Sequence, residues 1–224
     1  MAPPQHTIVL LSGGLDSSVL LVDLLQQGHC VTALGFRYAA RHNRRELAAA
    51  RHLCRSRQVP LQLVSLDFIG KMFTSALLEG GVEVPRSAYD EESMRQTVVP
   101  FRNGIMLAVA AGVAENLGAD AVALAAHGGD HALYPDCRDS FMRGMATAMR
   151  HGTYAGVKLL RPYVNRSKEW IVSRGARLGL DLSRTWSCYV GGALHCGTCG
   201  TCRERRLAFT TAGIPDPTRY AAVN

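Results

Sequence analysis

The 224-residue sequence lacks a long apolar run. A transmembrane helix needs about 20 apolar residues in a row, and a secretory leader needs an apolar stretch after a basic start. The first apolar run, residues 8–11, is interrupted at once by Ser12, Gly13 and Gly14. We therefore expect a cytoplasmic protein with no membrane-spanning segment.

Long blocks of like charge are also absent, although the net charge is +7 and the isoelectric point is near 9.2. The short basic clusters at residues 41–45 and 203–206 are as typical of solvated helix faces as of nucleic-acid contacts. A basic surface attracts small anions as well as nucleic acids. Charge alone therefore leaves protein and nucleic-acid partners open.

The composition is that of one globular domain with a small appendage. Hydrophobic residues make up 47% of the chain and charged residues 19%, which excludes a disordered protein. Short apolar runs alternate with helical patterns, and this alternation predicts an α/β fold with a doubly wound, mainly parallel sheet. We expect strands at residues 8–11, 31–36, 61–66, 121–126 and 159–160. We expect helices at residues 17–27, 44–57, 72–78, 102–117, 139–149 and 167–178.

A glycine-rich loop follows the first predicted strand and reads Ser12, Gly13, Gly14, Leu15, Asp16, Ser17 and Ser18. Glycines let the backbone approach an anion closely, and the helix start that follows offers unpaired N–H groups to a phosphate. Asp16 would repel a bare phosphate, so its presence indicates a bound Mg²⁺. The loop has neither the lysine of Gly-x4-Gly-Lys-Ser/Thr loops nor the spacing of Gly-x-Gly-x-x-Gly loops. A glycine turn with a serine cap is the plainer interpretation.

Four of the seven cysteines crowd into the tail, spaced Cys-x7-Cys-x2-Cys-x2-Cys: they are Cys188, Cys196, Cys199 and Cys202. In a cytoplasmic chain such a cluster indicates a metal before a disulfide. Four thiolates complete the tetrahedral shell of a structural zinc ion, whereas a redox dithiol and an iron–sulfur cluster are the alternatives. We expect structural Zn²⁺ in a tail of residues 185–224, packed on a catalytic domain of residues 1–184.

The loop and the cysteine cluster together resemble the 7-cyano-7-deazaguanine synthase (QueC) family of PP-loop ATP pyrophosphatases. The loop matches the Ser-Gly-Gly-x-Asp-Ser signature of that superfamily. The resemblance covers nearly the whole chain through further matches at Phe36, Tyr38, Arg41, His42, Arg102, Asn103, Asp130, residues 134–138, Lys168, Ile171, residues 185–189 and residues 216–220. It implies the PP-loop fold and the conversion of 7-carboxy-7-deazaguanine and ammonia to 7-cyano-7-deazaguanine, in queuosine biosynthesis. Adenylation of the carboxylate and then of the amide would release AMP and pyrophosphate.

The resemblance also implies roles for individual residues. Residues 12–18 would bind ATP with Mg²⁺, and Asp16, Arg102 and Lys168 would be catalytic. The predicted substrate contacts are Phe36, Tyr38, Asp130, Tyr134 and Asp136. Plainer interpretations stand beside these roles: a surface arginine, a solvated lysine, core aromatics, and a helix cap for Asp136. We also expect a homodimer.

The chain departs from the family's usual pattern at several positions. Ala39 and Ala40 replace a Gly-Gln pair, Phe101 replaces a glycine, and His127 and His131 stand where asparagine and tyrosine are expected. We expect these changes to alter the wall of the substrate pocket and to leave the loop and the cysteines untouched.

The departures keep two alternative functions open. One is a QueC-like ligase that stops at the amide or joins the deazaguanine acid to another amine. The other is a PP-loop tRNA-modifying enzyme, which the basic isoelectric point favours. A zinc module that only binds nucleic acid is a third candidate, but such a module has no need of Asp16 as a Mg²⁺ ligand.

Overall fold

A five-stranded parallel sheet forms the centre of the computed structural model, which describes residues 5–85, 95–130 and 134–222, with the backbone alone for Asp130. The order of the strands is β3-β2-β1-β4-β5. The strands are β1 (His6–Leu10), β2 (Cys30–Arg37), β3 (Leu61–Ser65), β4 (Ala121–Ala123) and β5 (Lys158–Leu160). The strands predicted from the sequence and the parallel α/β class are confirmed.

Helices cover both faces of this sheet. In the described ranges they are α1 (Leu15–Gln26), α2 (Asn43–Ser56), α3 (Asp67–Met72), α4 (Arg102–Asn116), α5 (Asp139–Gly152), α6 (Lys168–Arg177) and α7 (Gly200–Thr211). Short 3₁₀ turns lie at Gly128–Asp130, Pro135–Cys137 and Leu182–Arg184. None of the described helices has the length and the apolar character that crossing a membrane requires.

Neighbouring residues of β1 contribute to cores on opposite faces of the sheet. Ile8 packs into a cluster with Leu34 and Leu107, whereas Val9 packs with Val19 and others on the other face. Because successive side chains of a strand point to opposite faces, a sheet covered on both sides needs a continuous apolar run. The run at residues 8–11 was the signal that predicted this strand.

The helix predicted at residues 72–78 is wrong. Helix α3 ends at Met72, and Phe73 has extended backbone. Leu77 accepts a backbone hydrogen bond from Arg41, and Leu78 forms an antiparallel bridge with Ala40. These tertiary hydrogen bonds replace the helical ones, so the apolar residues that suggested a helix are buried in a turn instead.

Helix α7 was not predicted, because its sequence is rich in arginine. Arg205 is nevertheless fully buried, and it donates hydrogen bonds to Thr185 Oγ1, Thr218 Oγ1 and the Leu182 carbonyl oxygen. Phe209, one turn further on, packs in the core beside α1. The tail therefore shares a core with the sheet, and a boundary at residue 184 stays a prediction.

The order of the strands places a crevice beside β1. From β1 the chain runs outward to β2 and β3, whereas β4 and β5 lie on its other side. In open parallel sheets of this kind, ligands bind at the carboxyl ends of the strands where the order reverses. That point lies between the ends of β1 and β4, directly after Leu10 and Ala123.

Candidate active site

A cavity of about 210 Å³ opens at the carboxyl ends of β1, β2 and β4. Leu11, Tyr38 and Ala125 follow these strands and line it. The starts of α2, α4 and α6 form further walls, and the tail forms another. The polar and charged residues in its lining are Ser12, Asp16, Ser17, Tyr38, His42, Asn43, Glu46, Arg102, Asn103, Lys168, Ser187, Tyr189, Thr201 and Glu204.

The glycine-rich loop forms the floor of the cavity. Gly13 has a φ of +90°, and a Cβ added there would lie 2.1 Å from the carbonyl oxygen of Glu46. Only glycine fits such a position. The Ser12 hydroxyl accepts a hydrogen bond from the N–H of Gly14 and lies 3.0 Å from the Ser17 hydroxyl. The loop thus presents backbone N–H groups and the N-terminus of α1, an arrangement suited to phosphate.

Asp16 lies at the centre of a partly buried charge cluster. Its Oδ2 is 2.6 Å from Lys168 Nζ and 4.0 Å from His127 Nε2. Lys168 also lies 3.6 Å from the Glu204 carboxylate. Burial by itself raises the pKa of Asp16, but Lys168 and His127 outweigh it, so the pKa is lowered and the carboxylate is ionised.

The second oxygen of Asp16 is buried and has no hydrogen-bond partner among the described residues. An ionised oxygen without a donor is costly to bury unless a ligand binds it. This oxygen belongs to Asp16, which is a residue of the loop and lines the cavity. A carboxylate is a preferred ligand of Mg²⁺. The donor set therefore fits a divalent cation beside a bound phosphate.

The opposite end of the cavity combines aromatic and basic groups. Arg102, the first residue of α4, donates a hydrogen bond to the Tyr38 hydroxyl at 3.2 Å. The proximity of Tyr38 raises the pKa of Arg102, so its guanidinium stays charged although it is partly buried. Phe36, which lies near the end of β2 and two residues before Tyr38, adds apolar surface to the lining. A planar ligand with an anionic group would find complementary partners here.

The four cysteines of the tail lie together. The sulfur atoms of Cys188, Cys196, Cys199 and Cys202 are all within 4.8 Å of one another. Three of the four cysteines are completely buried. Four sulfur atoms this close together can form a tetrahedral shell around one metal ion. The donor set fits a metal ion with a closed shell.

The matching family model, described as "Queuosine biosynthesis protein QueC", covers residues 6–213. The chain belongs to the QueC family. It is 50% identical over 220 residues to a 7-cyano-7-deazaguanine synthase of Porphyromonas gingivalis, with 98% of this chain and 99% of that protein covered. It is 51% identical over 219 residues to a synthase of the same name from Paracoccus denitrificans, with 96% and 93% covered.

Solved structures with similar folds are more distant in sequence. An NMN synthetase from Francisella tularensis superposes with a TM-score of 0.53 at 14% identity, covering 96% of this chain and 79% of that one. A 4-thiouridine synthetase, solved in complex with RNA and ATP, superposes with a TM-score of 0.50 at 16% identity, covering 96% of this chain and 47% of that one. These similarities support the predicted PP-loop fold and carry no conclusion about substrate.

Most of the residues predicted for the site line the cavity of this QueC-family chain: Ser12, Gly14, Leu15, Asp16, Ser17, Phe36, Tyr38, Arg102 and Lys168. Gly13 and Ser18 do not line it. Gly13 forms the turn of the loop and packs against the backbone of α2, and Ser18 is buried inside α1.

Two of the predicted substrate contacts lie outside the lining. The Tyr134 hydroxyl is 3.0 Å from Thr97 Oγ1 in a buried position. The Asp136 carboxylate accepts a hydrogen bond from the backbone N–H of Asn103 at 2.8 Å. Asp136 thus caps the start of α4, not the helix that follows it in sequence, and so fixes the helix turn that carries Arg102. The side chain of Asp130 lies outside the described residues.

Four of the five departures from the QueC pattern do not form the pocket wall, contrary to our expectation. Ala39, Ala40, Phe101 and His127 are all absent from the cavity lining. His127 instead contacts Lys168 Nζ at 3.2 Å and lies beside Asp16. The expectation that the departures leave the loop untouched is therefore wrong for His127. His131 lies outside the described residues.

Ala39 and Phe101 both adopt left-handed backbone, with φ of 54° and 52°. Each stands where the family pattern has glycine, which tolerates this region without strain. The Phe101 ring packs over Gly104, where an added Cβ would lie only 2.2 Å from the ring, and against Phe141 at 5.5 Å between centroids. Ala39 and Phe101 thus keep the left-handed backbone conformation that glycine adopts easily, although each carries a side chain.

Several cavity residues were missed by sequence reasoning: His42, Glu46, Trp186, Ser187, Tyr189, Thr201 and Glu204. Five of them belong to the cysteine-rich tail. Two signals pointed toward them, the match at His42 and the match at residues 185–189. The spacing of the cysteines indicates a metal but does not indicate that the tail folds back onto the loop.

Proposed function

We propose that this chain is a 7-cyano-7-deazaguanine synthase, which converts 7-carboxy-7-deazaguanine and ammonia to 7-cyano-7-deazaguanine using ATP. The observation that carries the proposal is the match to proteins of that name along nearly the full length of both chains. The cavity supports it, because the loop, Asp16, Lys168 and Arg102 all face one space large enough for part of a nucleotide and its partner.

The chemistry explains why such residues are needed. A carboxylate is a poor electrophile, and linking it to AMP creates a leaving group. The loop N–H groups would bind the phosphates of ATP. Lys168 and Arg102 would stabilise charge that develops on the departing pyrophosphate and on the substrate carboxylate. Ammonia then displaces AMP to give the amide, and a second adenylation at the amide oxygen permits loss of AMP to give the nitrile.

Two metal ions belong to this proposal. Asp16 would hold Mg²⁺ through its unpartnered oxygen, and Mg²⁺ when bound offsets the charge of the phosphates. Cys188, Cys196, Cys199 and Cys202 would hold Zn²⁺, which when bound fixes the fold of the tail. The thiol-only donor set favours zinc over the harder cations.

The binding of the deazaguanine ring is assigned to the aromatic end of the cavity. Phe36 and Tyr38 line this end and would contact the planar ring. Asp136 would act indirectly, because it caps the helix that begins at Arg102. Contacts from Asp130 and Tyr134 stay predictions. Ammonia as the nitrogen donor, a homodimer, a cytoplasmic location and the division at residue 184 also stay predictions.

The alternative functions receive no support from the comparisons. No relative named above is a ligase that stops at an amide, and the fold similarity to a 4-thiouridine synthetase is too distant in sequence to indicate a tRNA substrate. The nitrile synthase is therefore preferred to both.

The amide intermediate offers the sharpest test. Incubating the enzyme with 7-carbamoyl-7-deazaguanine, ATP and Mg²⁺, without ammonia, should yield the nitrile with AMP and pyrophosphate. A ligase that stops at the amide would leave this compound unchanged while still adenylating the carboxylate. Mass spectrometry of the products separates the two outcomes.

A further inference from the structure

Glu46 lies in the first turn of α2 and faces the cavity. Its side chain is 15% exposed. One of its carboxylate oxygens is 4.0 Å from the position that a Cβ on Gly14 would occupy. The carboxylate therefore lies beside the phosphate loop, in the cavity where an adenylate would form. None of the roles described so far uses it.

Glu46 differs from the other two acidic groups that line the cavity. Asp16 and Glu204 both lie near the Lys168 ammonium, at 2.6 and 3.6 Å. The nearest ionisable partner of Glu46 within ion-pair distance is His42, at 3.7 Å. Burial lowers the pKa of His42 to about 4, so this imidazole is neutral near pH 7. Among the described residues, no lysine or arginine lies within ion-pair distance of the Glu46 carboxylate.

The proposed reaction has protons to dispose of. When ammonia adds to the acyl adenylate, a C–N bond forms, the C–O bond to AMP breaks, and the nitrogen loses one proton. When the amide oxygen displaces pyrophosphate from the second ATP, the C–O bond to AMP then breaks as the C–N bond becomes triple. The nitrogen loses both remaining protons in that sequence. A base beside the acyl group is required at each of these steps.

We propose that Glu46 is the general base that takes these protons from the substrate nitrogen. This inference rests on the proposed function, because it assigns a residue to the nitrogen chemistry of that reaction. The geometry favours Glu46 because its carboxylate faces the space above Gly14 and is not already held by a cation. Asp16 is a poorer base, since the nearby Lys168 stabilises its ionised form.

The environment of Glu46 suits this role. Burial raises its pKa to about 8, and the positive charge of Arg102 opposes that shift only in part. A general base is most effective when its pKa lies near the working pH. An ordinary exposed glutamate, with a pKa near 4.3, would be a much weaker proton acceptor.

The two halves of the reaction supply the test. Adenylation of the carboxylate, followed as exchange of labelled pyrophosphate into ATP without ammonia, involves no N–H bond. Conversion of the amide to the nitrile does. We expect Glu46→Gln to slow the amide-to-nitrile step by about 100-fold or more, the usual contribution of a general base, and to change the exchange reaction less than about threefold. Retained exchange also shows that the variant is folded.

Glu79→Gln serves as the matched control, because Glu79 is exposed and does not line the cavity. It should leave both reactions unchanged. The inference is overturned if Glu46→Gln converts the amide at the wild-type rate. It is equally overturned if pyrophosphate exchange falls as far as nitrile formation, because Glu46 would then be holding ATP or the acid.

Failure of the proposed function gives a different result. A wild-type enzyme that leaves the amide unchanged but performs the exchange contradicts nitrile synthesis. In that case the role of Glu46 is decided on the ammonia step alone, where Glu46→Gln should slow amide formation by the same factor. An unchanged rate of amide formation would then overturn the inference.

Discussion

The backbone N–H of Trp186 donates a hydrogen bond to the carbonyl oxygen of Gly13 at 3.0 Å. This bond joins the cysteine-rich tail to the phosphate loop. One further contact extends the junction, because Glu204 of the tail lies 3.6 Å from Lys168, which is itself bonded to Asp16 of the loop. Within the tail, Thr201 Oγ1 donates to the Ser187 carbonyl oxygen at 2.8 Å. The tail is therefore a wall of the candidate active site as well as the segment that carries the cysteine cluster.

Removal of the metal should consequently weaken nucleotide binding. Cys202→Ser removes a thiol located two residues before Glu204 on the same helix. Without the metal, the part of α7 that places Glu204 and Thr201 in the cavity lining is held less firmly. We expect loss of bound zinc, a lower melting temperature, and an ATP affinity reduced by about tenfold, comparable with the effect of losing a supporting group around a metal site. Elemental analysis and calorimetric titration with ATP measure these quantities.

Cys30→Ser is the control for that experiment, since Cys30 is exposed and lies outside the cluster. It should retain both zinc and ATP affinity. If Cys202→Ser lost its metal yet bound ATP like the wild type, the tail could not be supporting the nucleotide site. Bound iron and sulfide in place of zinc would contradict the assignment of the metal.

Asp16 should be essential for turnover but not for the fold. Asp16→Ala removes the proposed Mg²⁺ ligand and leaves Lys168 in contact with His127 and Glu204. We expect activity to fall by at least about 1,000-fold, the upper range for loss of one electrostatic contact in an active site. Far-UV circular dichroism should be unchanged. The wild-type nucleotide products should be AMP and pyrophosphate, and the appearance of ADP and phosphate instead would rule out adenylation.

Ala39→Gly should stabilise the protein. Left-handed backbone costs a non-glycine residue roughly 1–2 kcal/mol, whereas glycine loses roughly 0.5–1 kcal/mol through the entropy of the unfolded chain. The difference predicts a gain of about 0.5–1 kcal/mol, which corresponds to about 1–4 °C in melting temperature for a chain of this size. The control is Ala40→Gly: this neighbour is buried and does not have positive φ, so its replacement should lower the melting temperature. A drop for Ala39→Gly would show that the strain argument is wrong.

Nitrile formation from the amide should depend on pH through Glu46. The base must be ionised, and its pKa is raised to about 8, so the rate should rise about tenfold per pH unit below that value and level off above it. The groups that face Glu46 do not titrate in this range: the pKa of His42 is lowered to about 4, and those of Tyr38 and Arg102 are raised. Glu46→Gln should abolish this rising limb. A limb that persists in the variant would assign the titration to another group.

The sequence alone predicted the sheet, because buried parallel strands need apolar runs such as residues 8–11, and it located the loop, because Gly13 and Gly14 follow that strand directly. It also identified the cysteine cluster from its spacing. Which side chains meet at the site was harder to predict. Lys168 was expected to be catalytic or solvated, and the structure pairs it with Asp16 at 2.6 Å. That pairing depends on the relative position of α1 and α6, which no local pattern records.

The contributions of the tail and of α2 to the site were the hardest to predict from the sequence. Arg205 reads as a surface residue in sequence, yet it is fully buried and bonded to Thr185, Ser187 and Thr218. Burial of an arginine depends on partners far along the chain, so its neighbours Thr201 and Glu204 could not be placed at the site. Glu46 had no motif to mark it, and only the turn that brings α2 against Gly13 reveals it.

The most direct test of the account is the product formed from 7-carboxy-7-deazaguanine with ATP, Mg²⁺ and isotopically heavy ammonia. Mass spectrometry should detect 7-cyano-7-deazaguanine carrying the heavy nitrogen, with the amide appearing first and then disappearing, and with two AMP molecules released for each nitrile. Accumulation of the amide as the final product, with one AMP released for each, would contradict the assignment of this chain as a nitrile synthase.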